Sequence, residues 1–169
     1  ITDKKLVSLG MERRNIIIFT DGSCNWKIRK GGIGVYIQCD DKEYFISKGY
    51  CDTTISRCEL RAFLSALEAV NKSEPSNVTI WSDSEYVVNG TKKLFTYIQN
   101  NWEGCANVDL WKKVADIIYK SKKMRVRLKW TRGHGTDLSD PIVYGNAVAD
   151  VLADYKNFEY YEPDKIEEL

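Results

Sequence analysis

The feature that most constrains this chain is a short apolar run that ends on an aspartate and occurs twice. Residues 15–23 read NIIIFTDGS, and residues 77–85 read NVTIWSDSE. Short runs of β-branched and aromatic residues that close on a turn signal predict buried strands. An acid at the rim of such a strand is costly unless something pairs with it. If the two strands are parallel neighbours, Asp21 and Asp83 lie side by side at the sheet edge where α/β proteins bind ligands.

Alternation and periodicity along the chain predict five strands and five helices. The strands are predicted at residues 15–20, 33–39, 43–50, 77–82 and 124–130, and the helices at 56–73, 84–91, 92–100, 109–121 and 145–157. The first three strands are consecutive, which favours an antiparallel meander, whereas the later strands need helical crossovers, which favour parallel pairing. We therefore expect an α/β fold with a five-stranded mixed sheet, three strands antiparallel and then parallel strands, flanked by helices.

Three local predictions accompany this outline. Residues 22–32, rich in turn formers and basic side chains, are predicted to form a loop after the first strand. Ser56 is predicted to cap the first helix, with Glu59 three residues later as in a capping box. The last helix is predicted to bury an apolar face, whose members are Val148, Val151, Leu152 and Tyr155.

The length of 169 residues suits one domain with a substantial core. We expect an N-terminal extension or linker at residues 1–14, a domain at 15–157 and an acidic C-terminal tail at 158–169. The net charge is only +1, but residues 111–132 hold nine Lys or Arg against one acid, Asp116. This segment is either a basic face for nucleic acid or a solvated helix and strand, and the residues alone leave both readings open.

The chain has five cysteines and one histidine, without the spacing of a metal-binding motif. No apolar run approaches the ~18 residues of a membrane span. We therefore expect a protein of a reducing, intracellular compartment, cytoplasmic or nuclear, that has no membrane partner and is a monomer.

Two further acids border apolar helix faces. Glu59 lies near the start of the first predicted helix, and Asp150 lies in the last one. Together with Asp21 and Asp83 they offer four hard oxygen ligands, which suit Mg²⁺ or Mn²⁺. Two such ions can clamp an in-line displacement at phosphorus, which would explain the need for several carboxylates.

Each of these residues also has a structural reading when it is taken alone. Asp21 stands before a glycine, which is a common turn pair, and Asp83 fits as a helix cap. Glu59 fits as the acid of a capping box, and Asp150 fits as a half-exposed helix residue. His134 follows the last strand between two glycines, where it is either structural or a carrier of protons.

Five segments, in this order, resemble the motifs of type 1 ribonuclease H. They are TDGSC with the following GGIG, TTISRCELRAFLSALEAV, WSDSEYVV with the following glycine, NVDLW, and WTRGH with the following GNAVADVLA. The resemblance implies the ribonuclease H-like fold and an endonuclease that hydrolyses the RNA strand of RNA–DNA hybrids, largely independently of sequence. It also implies two Mg²⁺ ions as cofactors, with Mn²⁺ able to substitute.

The same resemblance implies roles for individual residues. The metal-binding and catalytic carboxylates would be Asp21, Glu59, Asp83 and Asp150, and His134 would assist the reaction and product release. The residues in contact with nucleic acid would be Cys24, Thr54, Ser84 and Asn107. Of these, Thr54 and Asn107 would hold a phosphate of the DNA strand away from the cut, and Ser84 would lie close to the RNA strand.

Some positions depart from the family's pattern. Asp52 stands where the family often has Arg, Ile55 stands where it often has Asn, and residues 91–106 lack the basic protrusion of many cellular members. These departures keep three alternatives open. The chain could be a catalytically weak nucleic-acid-binding module, a domain of a reverse transcriptase polyprotein, or a related nuclease that acts on double-stranded RNA.

Overall fold

The structure is a computed structural model that describes residues 12–166. Most of the predicted N-terminal extension and the last three residues of the predicted tail lie outside this range, so the division at 1–14, 15–157 and 158–169 stays a prediction. Six strands form one sheet: β1 (Arg14–Asn25), β2 (Lys30–Cys39), β3 (Lys42–Cys51), β4 (Ser76–Ser82), β5 (Met124–Trp130) and β6 (Glu162–Pro163). Their order across the sheet is β5-β4-β1-β2-β3-β6.

The pairing of these strands confirms the predicted mixed α/β sheet. β1, β2 and β3 form an antiparallel meander, while β4 runs parallel to β1 and β5 runs parallel to β4. The two-residue β6 pairs in parallel with β3 and raises the count from the predicted five strands to six. The parallel pairing of β1 with β4 therefore stops at Thr20 and Ser82, directly before the two aspartates of the repeated motif.

Five α-helices connect and cover the strands: α1 (Ile55–Ala69), α2 (Glu85–Lys92), α3 (Leu94–Gln99), α4 (Val108–Lys120) and α5 (Pro141–Ala153). A short 3-10 helix follows at Tyr155–Asn157. In the described part of the chain, no helix is both long and apolar enough to cross a membrane. All five cysteines are free thiols.

Two apolar cores lie on the two faces of the sheet. The larger core joins the sheet to α1 and α4, and Phe63, Leu67 and Leu110 are fully buried in it. The smaller core lies under α5, where Ala149 packs with Phe19 and Tyr36. α5 approaches the sheet closely because it carries Gly145, at which a Cβ would lie 2.3 Å from the Phe19 ring. α5 packs mainly on β1 and β2.

The predicted loop at residues 22–32 is wrong for most of its length. β1 continues through Asn25 and β2 begins at Lys30, so only the four residues between them form the turn. The glycines in this region do not loosen the chain but allow close packing. A Cβ at Gly32 would lie 2.3 Å from the carbonyl oxygen of Ala153, so only a bare backbone fits beneath α5.

Two predictions about helix ends are also wrong. Thr54 rather than Ser56 caps α1, because the Thr54 hydroxyl accepts the Arg57 backbone N–H at 3.2 Å. α5 begins at Pro141 behind the cap Asp140, four residues earlier than predicted, and ends at Ala153.

The predicted apolar face of the last helix holds only in part. Val148 and Leu152 pack against the smaller core. Val151 is 69% exposed, and Tyr155 lies beyond α5 in the 3-10 helix. A tight turn after Ala153 replaces the predicted continuation of the helix, and this removes Tyr155 from the helical stripe.

The segment after α5 folds back onto the domain. Beyond β6, the side chain of Asp164 has no exposed surface and forms ion pairs with Arg57 and Arg61 on α1. Its carboxylate also accepts the Thr53 hydroxyl at 2.7 Å. This ion-pair network joins the C-terminal segment to the start of α1.

Candidate active site

Asp21 lies on β1 at the point where the parallel pairing of β1 with β4 ends, whereas β1 itself continues to Asn25 in its pairing with β2. The two strands are parallel neighbours, and their paired residues include Thr20 and Ser82, so Asp21 and Asp83 follow at equivalent positions. The side chain of Asp21 points to the α5 side, because side chains alternate along a strand and Phe19 faces α5. Only 8% of Asp21 is exposed, and its Oδ1 accepts the Gly22 backbone N–H at 2.9 Å.

Three aspartates interact at this edge. Burial, the negative charge of Asp83 and the contact with Asp150 together raise the pKa of Asp21 to about 9, and burial contributes most. Burial also raises the pKa of Asp83, although a hydrogen bond with Asp21 and the charge of His134 oppose that shift. Such shifts are typical of like charges confined together. The paired strands β1 and β4 therefore bring Asp21 and Asp83 together, and α5 places Asp150 beside them.

Glu59 approaches the same edge from the opposite face of the sheet. α1 comes close to β1 because Gly22 carries no side chain, and a Cβ there would lie 2.5 Å from the Glu59 backbone nitrogen. Burial raises the pKa of Glu59, and the Ser84 hydroxyl opposes this by donating to Glu59 Oε2 at 2.6 Å. The same Ser84 oxygen accepts the Val87 N–H and caps α2, so Ser84, and not Asp83, is the helix cap.

His134 lies on the exposed loop that follows β5. Its φ of 58° is in the left-handed region, and it stands between two glycines. The preceding Gly133 passes so close to Asp83 that a Cβ would lie 2.6 Å from Asp83 Oδ2. The loop thus brings the only histidine of the chain beside the acids.

Asp21, Glu59, Asp83 and Asp150, hereafter the acid cluster, are hard oxygen donors. Within residues 12–166, no group of three or more Asp, Glu, His or Cys side chains has an arrangement that could already hold a metal ion. The raised pKa values of Asp21, Asp83 and Glu59 nevertheless show that negative charge is disfavoured at this edge. A donor set of this chemistry, short of compensating positive charge, fits Mg²⁺ or Mn²⁺.

Thr54 and Asn107 lie together in a second place, linked by Arg57. Besides donating its backbone N–H to Thr54, Arg57 donates from Nη1 to Asn107 Oδ1 at 3.4 Å. Asn107 has a φ of 54° and donates from Nδ2 to Tyr86 Oη at 2.9 Å. Both residues are thus held at helix starts, with Arg57 between them.

Sequence reasoning missed Arg57 and Asp164 as organisers of this second place. Arg57 donates to both carboxylate oxygens of Asp109, at 3.0 and 2.8 Å, and to both of Asp164, at 2.7 and 3.0 Å. The one sequence feature that could have pointed to Arg57 is its position three residues after the helix cap Thr54. No sequence feature pointed to Asp164.

The remaining predicted contact residue and the departures from the family pattern lie around this second place. Cys24 is half-buried at the end of β1, and its Sγ lies 3.8 Å from the Thr53 carbonyl oxygen. Burial raises the pKa of its thiol. Asp52 is exposed with a φ of 54°, and Ile55 is 46% exposed. These two side chains therefore add no positive charge beside Thr54.

The model of a family described as RNase H matches residues 13–157. The ribonuclease H of Haemophilus influenzae (strain 86-028NP) is 39% identical over 128 residues, which cover 72% of this chain and 80% of that protein. The ribonuclease H of Mannheimia succiniciproducens is 35% identical over 162 residues, which cover 90% of this chain and 97% of that protein.

Two solved structures share the fold. One is a type 1 RNase H with the type 2 active-site motif, with a TM-score of 0.70 and 23% identity over 85% of this chain and 72% of that chain. The other is the protease–reverse transcriptase of prototype foamy virus, with a TM-score of 0.68 and 21% identity over 83% of this chain and 20% of that chain. At these identities the likeness concerns the fold alone.

Proposed function

Because this chain belongs to the RNase H family and is a ribonuclease H, an endonuclease that acts on the RNA strand of RNA–DNA hybrids, we propose that the acid cluster is its catalytic centre. The observation that carries the proposal is the confinement of Asp21, Asp83 and Asp150 at one sheet edge, with the pKa of Asp21 raised to about 9. The bacterial matches favour this reading over a domain of a reverse transcriptase polyprotein.

The acid cluster would hold two Mg²⁺ ions, with Mn²⁺ able to substitute. When bound, such ions help to activate the attacking water and to stabilise the leaving oxygen of an in-line displacement at phosphorus. The chain's own residues prepare the site. The Gly22 N–H fixes one oxygen of Asp21, and the Ser84 hydroxyl fixes one oxygen of Glu59, so both carboxylates are oriented before substrate arrives.

His134 would move a proton at the scissile phosphate. Its exposed loop lies beside Asp83, and an imidazole can accept or donate a proton near neutral pH. We assign it to protonation of the leaving oxygen and to product release. It is not a member of the acid cluster, so its loss should slow the reaction without abolishing it.

Thr54 and Asn107 would select the hybrid by its DNA strand. They would hold a phosphate of the DNA strand away from the cut, at a place that Arg57 organises. The 2′-hydroxyls of the other strand supply the second criterion, which distinguishes a hybrid from double-stranded DNA. Contacts to phosphate carry no base information, so cleavage should be largely independent of sequence.

The remaining parts of the proposal concern the cellular compartment and the oligomeric state. Five free thiols and no disulfide among the described residues support a reducing, intracellular compartment. We also propose that the protein acts as a monomer, because one chain brings together all four members of the acid cluster and His134.

The test is cleavage of a labelled RNA–DNA hybrid in Mg²⁺, with double-stranded RNA and double-stranded DNA alongside. We expect cleavage of the RNA in the hybrid alone, and loss of cleavage by at least about a hundredfold in Asp21→Asn. The matched control is Asp116→Asn, which removes an exposed acid paired with Lys120 and should cleave normally. Tight binding with intact RNA, or normal turnover in Asp21→Asn, would contradict the proposal.

A further inference from the structure

The fold divides the basic segment at residues 111–132 between the two sides of the sheet. Its first cations, including Lys112 and Lys113, lie on α4, which packs on the larger core. Its later cations Arg125, Arg127 and Lys129 alternate along β5 and are all exposed. The intervening residues of β5 face the larger core. The cations of β5 therefore share the sheet face that carries Asp21 and α5.

The strand register relates these cations to the acid cluster. Arg127 lies in one row with Thr79 and Ile17, and Lys129 lies in the next row with Trp81 and Phe19. Alternate residues of a strand are about 7 Å apart. The acids Asp21 and Asp83 follow directly after the Lys129 row, and exposed Arg132 lies beyond the end of β5. A column of positive charge thus runs down the sheet from the edge that holds the acid cluster.

The uncovered part of this face is narrow. α5 packs mainly on β1 and β2 and leaves the surface of β4 and β5 open, where Asn77 and Thr79 are only half-buried. Two strands span about 10 Å across a sheet. That width accommodates one nucleic-acid strand and is less than the width of a duplex.

Three of the cations on this face lack an acidic partner among the residues that the structure describes. In the described chain, Arg127, Lys129 and Arg132 form no ion pair with a carboxylate. The Lys129 ammonium lies 5.3 Å from the centre of the half-buried Trp81 ring. Cations in a track beside an aromatic ring are typical of surfaces that bind single strands through their backbone.

We propose that this surface, the basic strip of Arg127, Lys129 and Arg132, binds a single-stranded stretch of nucleic acid that continues from the hybrid. The proposal rests on the proposed function and gives the enzyme a preference for hybrids with an unpaired extension. The cations contact phosphates, so the preference does not depend on the sequence of the extension.

The experiment compares a blunt RNA–DNA hybrid with hybrids of the same duplex that carry a short unpaired extension at one of the four strand ends. For the native protein, at least one extension should lower KM about fivefold at low salt and leave kcat unchanged. In the double variant Arg127→Glu/Lys129→Glu, the ratio of KM values for blunt and extended hybrid should fall to about one. For the extended hybrid, each phosphate that the basic strip contacts should add about 0.7 to the slope of log KM against the logarithm of the salt concentration.

The control is Lys112→Glu/Lys113→Glu, which makes the same charge change on α4 and should keep the native ratio. Arg127→Gln/Lys129→Gln serves as a milder second variant, and thermal melting checks that each protein is folded. Equal KM values for blunt and extended hybrids in the native protein would overturn the inference, as would a native ratio in the strip variants. Loss of the ratio in the α4 control would also overturn it. Failure to cleave even the blunt hybrid would contradict the proposed function instead.

Discussion

At the scale of single residues, Asp21 shows how the fold prepares for a cation. An isolated acid in an apolar setting destabilises the folded state unless it is protonated or paired. The neighbouring carboxylates make the ionised form of Asp21 still less favourable, and only the Gly22 N–H opposes them. In the metal-free protein, the ionised carboxylate of Asp21 therefore destabilises the folded state. Protonation of Asp21 or binding of a cation removes this destabilisation.

We expect Asp21→Asn to stabilise the metal-free protein at pH 7. The pKa of Asp21 is about 9 when folded and ~3.9 when unfolded, so the native state binds an extra proton between these values. Stability therefore falls as pH rises from about 4 to 9, and the Asn variant should escape this fall. Thermal melting in a chelator should show a gain of about 1 kcal/mol or more at pH 7 and little difference near pH 4. A lower melting temperature for the variant at pH 7 would contradict the assignment.

At the scale of elements, side chains at helix starts hold neighbouring helices in place at the site. The hydroxyl of Ser84 caps α2 and also holds Glu59 on α1, so one side chain ties two helices together. Thr54 at the start of α1 and Asn107 at the start of α4 are linked by Arg57 in the same way.

Ser84→Ala should reduce both stability and metal response. Loss of the α2 cap should lower the free energy of unfolding by about 1 kcal/mol. Without the hydroxyl, the pKa of Glu59 should rise further, because burial raises it and Ser84 is what opposes the rise. A higher Mg²⁺ concentration should then be needed for half-maximal cleavage. Ser84→Thr, which retains the hydroxyl, should behave like the native protein, and an equal defect in both variants would refute the role of the hydroxyl.

The strands of the site could be predicted, whereas the helix ends could not. Alternation in residues 124–130 and the two apolar runs specify β5, β1 and β4, because burial on a sheet has a period of two. The choice of Thr54 over Ser56 as a cap depends on the backbone conformation at each position, since both side chains can cap. The strands β1 and β2 include residues 22–25 and 30–32 because these residues pair with each other across the sheet. Their local sequence, with its glycines and polar residues, does not predict this pairing.

At the scale of the whole molecule, the C-terminal segment closes the structure by long-range charge pairing. Asp164 and Arg57 are 107 residues apart in sequence, and no local pattern predicts such a contact. Asp21 and Asp83 could be predicted as neighbours, although they are far apart in sequence, because the register of β1 and β4 carries both to one edge. No comparable register leads from α1 to Asp164, and the sequence identified its surroundings only as an acidic tail.

Asp164→Asn should destabilise the protein at neutral pH. Burial would raise the pKa of Asp164, but hydrogen bonds from Arg57 and Thr53 and the charge of Arg61 outweigh it and leave the pKa below its usual value. The charge therefore contributes stability above the unfolded pKa of ~3.9, and this contribution is lost as pH falls further. We expect a loss of about 2–4 kcal/mol at pH 7 that shrinks below pH ~4.

Urea unfolding of native and variant protein across that pH range measures the difference. Glu162→Gln is the matched control, because Glu162 lies in the same segment but forms an exposed ion pair with Lys48. It should change stability by less than about 1 kcal/mol. A loss for Asp164→Asn that does not vary with pH would place the effect in packing rather than in charge.

The acid cluster has a consequence for how the enzyme is loaded. Because Asp21 retains a proton in the empty protein at neutral pH, a divalent ion that binds there must displace it. Loading is then an exchange of hydrogen ions for metal rather than a simple addition. Acidification and magnesium depletion would therefore inhibit the enzyme in the same way. Both favour protons over metal ions in the competition for the carboxylate oxygens of the acid cluster.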